Sequence, residues 1–87
     1  KTFLTRFKTE YDKVDEQLRQ LDPVEAEQLA HKLKGASAVL GLLKISRHSR
    51  ALMDVYSSPN LGDVDQLLNE LQATLDETWQ IIDQYTQ

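Results

Sequence analysis

The sequence predicts an all-α domain, an antiparallel up-down-up-down bundle of four helices. Three observations lead there. Apolar residues recur at three- and four-residue steps in four separate stretches. No stretch alternates polar and apolar residues as a half-buried strand would. The connections between the periodic stretches are short, which makes consecutive helices antiparallel neighbours. A chain of 87 residues has room for one core, so residues 1–87 read as a single domain.

The first helix is expected from Thr2 to Leu21, with Phe3, Leu4, Phe7, Tyr11, Val14, Leu18 and Leu21 as its buried stripe. Asp22-Pro23 ends it and starts the next. Aspartate is a good N-cap, proline suits the first helical position, and Glu25 supports the positive N-terminus. The second helix is expected over 23–40, burying Ala26, Leu29, Ala30, Leu33, Ala36, Ser37 and Leu40. Gly41 then supplies a break. The third helix carries Leu42, Ile45, Ser49, Leu52 and Tyr56 on one face. Ser57-Ser58-Pro59-Asn60, followed by Gly62, reads as a loop. The fourth helix starts after Asp63 as N-cap and shows Val64, Leu67, Leu68, Leu71, Leu75, Trp79, Ile82 and Tyr85. In a bundle this small these stripes are needed as core, not as cofactor boxes.

Composition narrows the function. A net charge of −4 argues against non-specific binding to nucleic acid, which wants a basic face. The absence of cysteine excludes thiol chemistry and disulfides, and two histidines alone make a zinc site improbable, so no metal is expected. No apolar run reaches the roughly 18–20 residues that span a bilayer, and no secretory leader pattern is present. Direct membrane contact is therefore not expected. No glycine-rich phosphate loop follows a strand, so ATP binding is not expected either. The carboxylates are spread along all four helices, and no pair stands out for acid–base work. The chain opens on Lys1 inside a periodic pattern, which suggests a piece of a longer polypeptide.

The informative stretch is A-H-K-L-K-G-A-S-A-V-L-G-L, from Ala30 to Leu42. At about 100° per residue, His31 points away from the apolar stripe of its own helix. It shares that outward side with Glu27, Lys34, Gly35 and Ala38. An imidazole, with an ordinary pKa of about 6.5, is largely neutral and nucleophilic at pH 7 without an activating base. Lys34, one turn on, is placed to pair with an anionic group as a mobile point charge. Gly35 costs the helix roughly 1 kcal/mol relative to alanine. A glycine there makes sense where another molecule's backbone comes close. Ala38 extends the low profile. His48, in S-R-H-S-R with Arg47 and Arg50, has no such surroundings and reads as a partly exposed structural residue; the basic stretch around it reads as a solvated face, with contact to an acidic partner as the alternative.

The string H-x-L-K-G-A-S-x-x-L-G-L resembles the signature of histidine phosphotransfer (HPt) domains, the phosphoryl relays of multistep two-component signalling. His31, Leu33, Lys34, Gly35, Ala36, Ser37, Leu40 and Gly41 fall where that family has them. The resemblance implies that His31 accepts a phosphoryl group from an aspartate of one receiver domain and passes it to another. It implies that Lys34 stabilises the phosphoryl charge. Gly35 and Ala38, with Glu27 and Gln28, then belong to the receiver-docking and ring-orienting surface. The receiver would bring the acidic pocket and Mg²⁺; this chain would bind no cofactor. It would be a carrier, not an independent catalyst, and a monomer as an isolated domain. The setting implied is cytoplasmic, as the C-terminal module of a hybrid sensor histidine kinase whose parent chain can be anchored in the inner membrane.

One position departs from the family pattern. Many such domains hold a glutamine or glutamate 22 residues after the histidine, where it hydrogen-bonds the ring. Here that residue is Met53, which has only a weak acceptor. Glu27, Gln28 or water must then orient the imidazole. Met53 is also the one feature that favours the main alternative, a helical protein-docking module without phosphotransfer. A third reading, the dimerisation and phosphoacceptor domain of a kinase, usually wants an acid directly after the histidine, where this chain has Lys32.

Overall fold

The structure is a computed structural model that describes residues 2–58 and 62–86, the side chains of Thr2, Tyr85 and Thr86 excepted. Five α-helices follow one another: α1 (Thr2–Tyr11), α2 (Val14–Gln20), α3 (Pro23–Val39), α4 (Leu43–Ser57) and α5 (Val64–Thr86). Helices α1 and α2 together take the place of the expected first helix, so the chain builds four antiparallel rods, the first one broken. The molecule measures 43 × 20 × 20 Å. Helix α5, whose 23 residues span about 34 Å at 1.5 Å each, runs along most of that length.

The antiparallel order shows in the cross-links. Lys8, in the last turn of α1 and so in the first half of the α1–α2 rod, donates to Asp83 near the end of α5 at 2.6 Å. Arg19 at the end of α2 reaches Asn69 at 2.8 Å near the start of α5. Ser57 at the end of α4 donates to Glu27 near the start of α3 at 2.7 Å. His48 and Thr74 meet at 2.9 Å between α4 and α5. These contacts are exposed or half-buried and add little stability, but they fix the register of each pair.

Stability comes from the core. Phe7, Tyr11, Val14, Leu18, Ala26, Ala30, Leu33, Ile45, Leu52, Leu68, Leu71, Leu75, Trp79 and Ile82 are buried in one cluster. Phe7 stacks at tilted angles on Tyr11 and on Trp79, with ring centroids 5.0 and 5.7 Å apart, which ties α1 to α5. The most extensive packing is between α3 and α4. Small residues allow it: Ala26, Ala30, Ser37 and Ser49 are all fully buried. The two serines satisfy their hydroxyls inside their own helices, Ser37 on the Leu33 carbonyl at 2.7 Å and Ser49 on the Ile45 carbonyl at 2.8 Å.

The helix ends follow the sequence signals. The Asp22 side chain accepts the Glu25 N–H at 2.8 Å, with Pro23 in the first turn. Gly41 adopts φ +77°. Leu42 N–H then bonds the Ser37 carbonyl at 2.8 Å and Gly41 N–H bonds the Ala38 carbonyl at 3.1 Å, a Schellman closure. The Asp63 carbonyl accepts the Leu67 N–H at 3.1 Å at the start of α5.

Three expectations are corrected. The first helix is not continuous: a turn at Asp12-Lys13 separates α1 from α2, and Lys13 caps α2 with no side-chain bond. Val14 and Leu18 keep their place in the core across the break. Asp12 is a short polar residue that competes with helical backbone bonding. Phe3, placed in the buried stripe, is 70% exposed, because it lies about 100° round α1 from Leu4, the residue at this end that packs on the core. The third helix begins at Leu43, one residue later than expected. Of the expected loop, Pro59 and Asn60 lie outside the described residues, as does the side chain of Tyr85. Among the described residues no helix is long and apolar enough to cross a membrane.

Candidate functional site

Helix α3 positions the site. Its buried edge is Ala26, Ala30, Leu33 and Ser37, and this fixes the direction of every other residue on it. His31 is exposed, Gly35 and Ala38 are exposed, and Lys34 and Glu27 are half-buried. Gln28 is exposed on the far side of the same surface. A Cβ built on Gly35 would meet nothing within 4 Å. The glycine is therefore not there for helix packing within this domain, and the surface beside His31 is open.

The Glu27–Ser57 bond sets what stands opposite. One turn along each helix from that bond, in opposite directions, brings His31 level with Met53. Two turns bring Lys34 level with Arg50. Met53 is half-buried and packs against the core. Ser57 Oγ lies 2.7 Å from both Glu27 Oε2 and the Met53 carbonyl oxygen. Its single proton is shared between them.

The sequence placed Glu27 and Gln28 as candidates to orient the imidazole. Neither hydrogen-bonds the His31 ring, and no other described side chain does so. Glu27 instead spends one carboxylate oxygen on Ser57. Ser57 is a partner that sequence reading missed; a serine at a helix end gives no signal of its own until the register of two helices is known. His48 is accounted for as a structural residue, since its Nε2 meets Thr74 Oγ1 on α5. Among the described residues no group of three or more His, Cys, Asp or Glu side chains is arranged to hold a metal ion.

A solvent-facing histidine, a lysine one turn on and an uncovered glycine between helix turns together make a surface that another macromolecule can approach closely. A family model, described as Hpt domain, matches residues 1–81. The chain belongs to the Hpt family. As an Hpt domain it serves as a phosphotransfer carrier in two-component signalling, in the family that works with receiver domains. Comparison with curated proteins and with solved structures gave no match. The all-α bundle is the one expected of an Hpt domain.

Proposed function

We propose that this Hpt domain carries its phosphoryl group on His31, taking it from a receiver aspartate and delivering it to a second receiver. The observation that carries this reading is the exposure of His31 beside the open Gly35. In the accepting step a neutral ring nitrogen attacks phosphorus. The N–P bond forms, the acyl phosphate P–O bond breaks and the aspartate leaves as a carboxylate. The ring's other N–H proton passes to solvent. Delivery is the reverse at a second aspartate. Positioning and charge neutralisation do most of the catalysis in phosphoryl transfer. Lys34 supplies a mobile positive charge to the phosphoryl oxygens, and Mg²⁺ belongs to the receiver's side of the encounter.

Glu27, Gln28, Gly35 and Ala38 frame the docking surface. With Glu27 engaged by Ser57, orientation of the ring falls to water and to the docked receiver. The reading extends to a monomeric carrier in the cytoplasm, as the C-terminal module of a hybrid sensor kinase. The test is incubation with receiver domains charged by acetyl phosphate, followed by acid- and base-stability analysis of the label. The expected result is an acid-labile, base-stable label that disappears in His31→Gln while helicity is unchanged. Label that persists in that variant, or moves to His48, overturns the assignment. Binding of receivers with no label transferred by the wild type identifies a docking module instead.

A further inference from the structure

The S-R-H-S-R stretch of α4 is divided by the fold. Ser49 is buried against the bundle. His48 lies about 100° to one side and meets Thr74 on α5. Arg50 lies about 100° to the other side and is exposed. Arg50 and Ser57 are seven residues apart, so they share one edge of α4. Because Ser57 touches Glu27, that edge is the one facing α3. On α3, Glu27 and Lys34 are likewise seven apart and share an edge. Lys34 and Arg50 therefore face each other across the α3–α4 seam, both two turns from the Glu27–Ser57 bond and one turn beyond His31 and Met53.

Neither cation is ion-paired among the described residues, although Lys8 and Arg19 are, on Asp83 and Asp65. The domain carries a net charge of −4, yet Glu27, the acid on this edge of α3, is two turns away and engaged by Ser57. The next turn along the seam is low, with exposed Ala38 on α3 and half-buried Ser46 on α4. Two like charges level with each other repel one another until an anionic surface arrives.

We propose that Arg50 is a specificity-determining residue of the docking face, which pairs with carboxylates on an acidic receiver surface as that surface settles over His31. The docking face then straddles the α3–α4 seam and is not confined to α3. The inference rests on the relay reading of His31. Arg50 acts on encounter and affinity. Lys34, nearer the histidine, acts on the transferring group. Charges at the rim of an interface change the association rate and its salt dependence more than the bound-state chemistry.

The test uses the domain with a panel of receiver domains from its own organism, and takes forward the receiver that accepts its phosphoryl group fastest. Arg50→Glu is expected to weaken binding of that receiver about tenfold at low salt. The difference should close near 0.5 M salt, where charges beyond a few Å are screened. The transfer rate at saturating receiver should stay unchanged, and Arg50→Lys should restore most of the affinity. Labelling of His31 by phosphoramidate, a small donor that releases ammonia and needs no docking, should be unaffected. Arg50→Glu binding as tightly as wild type at low salt overturns the proposal. So does a parallel fall in phosphoramidate labelling, which would place Arg50 in the chemistry or in the fold. An amide-shift footprint of the bound receiver that avoids α4 also overturns it. A panel in which no receiver binds the wild type overturns the relay reading, and this inference with it.

Discussion

Met53 stands level with His31 across the α3–α4 seam, one helical turn from the 2.7 Å bond between Ser57 and Glu27. A thioether cannot usefully hydrogen-bond an imidazole, and no described side chain takes its place. The ring is thus free to present either nitrogen.

This makes Met53→Gln an informative substitution. The two side chains are similar in length, and the new amide would sit where it can reach the ring. Nitrogen chemical shifts of His31 should move from a tautomer mixture towards one tautomer. The polar head in a half-buried position should cost about 1 kcal/mol. An unchanged tautomer ratio would mean that the seam holds residue 53 too deep to reach.

Lys34→Ala should slow phosphoryl transfer at saturating receiver by about tenfold, equivalent to about 1.4 kcal/mol. Affinity for the receiver should change much less. Stability should hold, because the Lys34 contact with Ser37 is made by its backbone carbonyl, at 3.1 Å. A rate equal to wild type would reduce Lys34 to a solvated surface residue.

Gly35→Gln sets two effects against each other. Helix propensity improves by roughly 0.5–1 kcal/mol, and the open space at Gly35 accommodates the side chain. The melting temperature should rise by several degrees, as about 1 kcal/mol shifts a domain of this size by roughly 4–8 °C. Transfer from the receiver should nevertheless fall steeply, since bulk now occupies the docking surface. Full-rate transfer by a stabilised variant would place docking elsewhere.

Tyr56 and Tyr11 contribute to the alkaline limb of stability. Burial pushes the Tyr56 phenol above its ordinary value of 10.0, Arg19 lowers it and Asp65 raises it. Burial and then Glu10 push Tyr11 up likewise. A folded-state pKa above the unfolded one means the folded protein keeps the proton longer. The contribution is complete below pH 10 and is lost as pH rises through the folded values. The Tyr56 hydroxyl is buried with no hydrogen-bond partner among the described residues. Tyr56→Phe should therefore be neutral or stabilising by up to about 1 kcal/mol at pH 7. It should also flatten the loss of stability above pH 10, as read by denaturant titrations at several pH values. A steeper alkaline loss in the variant would contradict the assignment.

Much of the fold was legible because its signals are local. Asp22-Pro23 and Gly41 mark their helix ends by side-chain and backbone chemistry that needs no tertiary context. The stripe from Val64 to Ile82 runs unbroken in both sequence and structure, with residues fully or half-buried throughout. The direction of His31 followed from its own helix in the same way. What stayed hidden depends on other helices. The turn at Asp12-Lys13 leaves the apolar spacing intact, so periodicity passes over it. Phe3 stands four residues before Phe7, but it sits at the flank of the stripe, and spacing alone does not say which of Phe3 and Leu4 the core takes. The Glu27–Ser57 bond and the division of Arg50 from His48 need the register between α3 and α4. No single-helix pattern contains that register.

The Gly41 turn also has a bearing on how the chain acquires its shape. It joins the two helices that pack most extensively, and it does so within a few residues. The contacts between α3 and α4 close short loops, which costs little chain entropy and favours early formation during folding. Contacts of α1 and α2 with α5, such as Lys8 with Asp83, close nearly the whole chain. The hairpin that carries His31, Lys34, Met53 and Arg50 is thus the part of the molecule best able to form first, ahead of the contacts that wait on the chain ends.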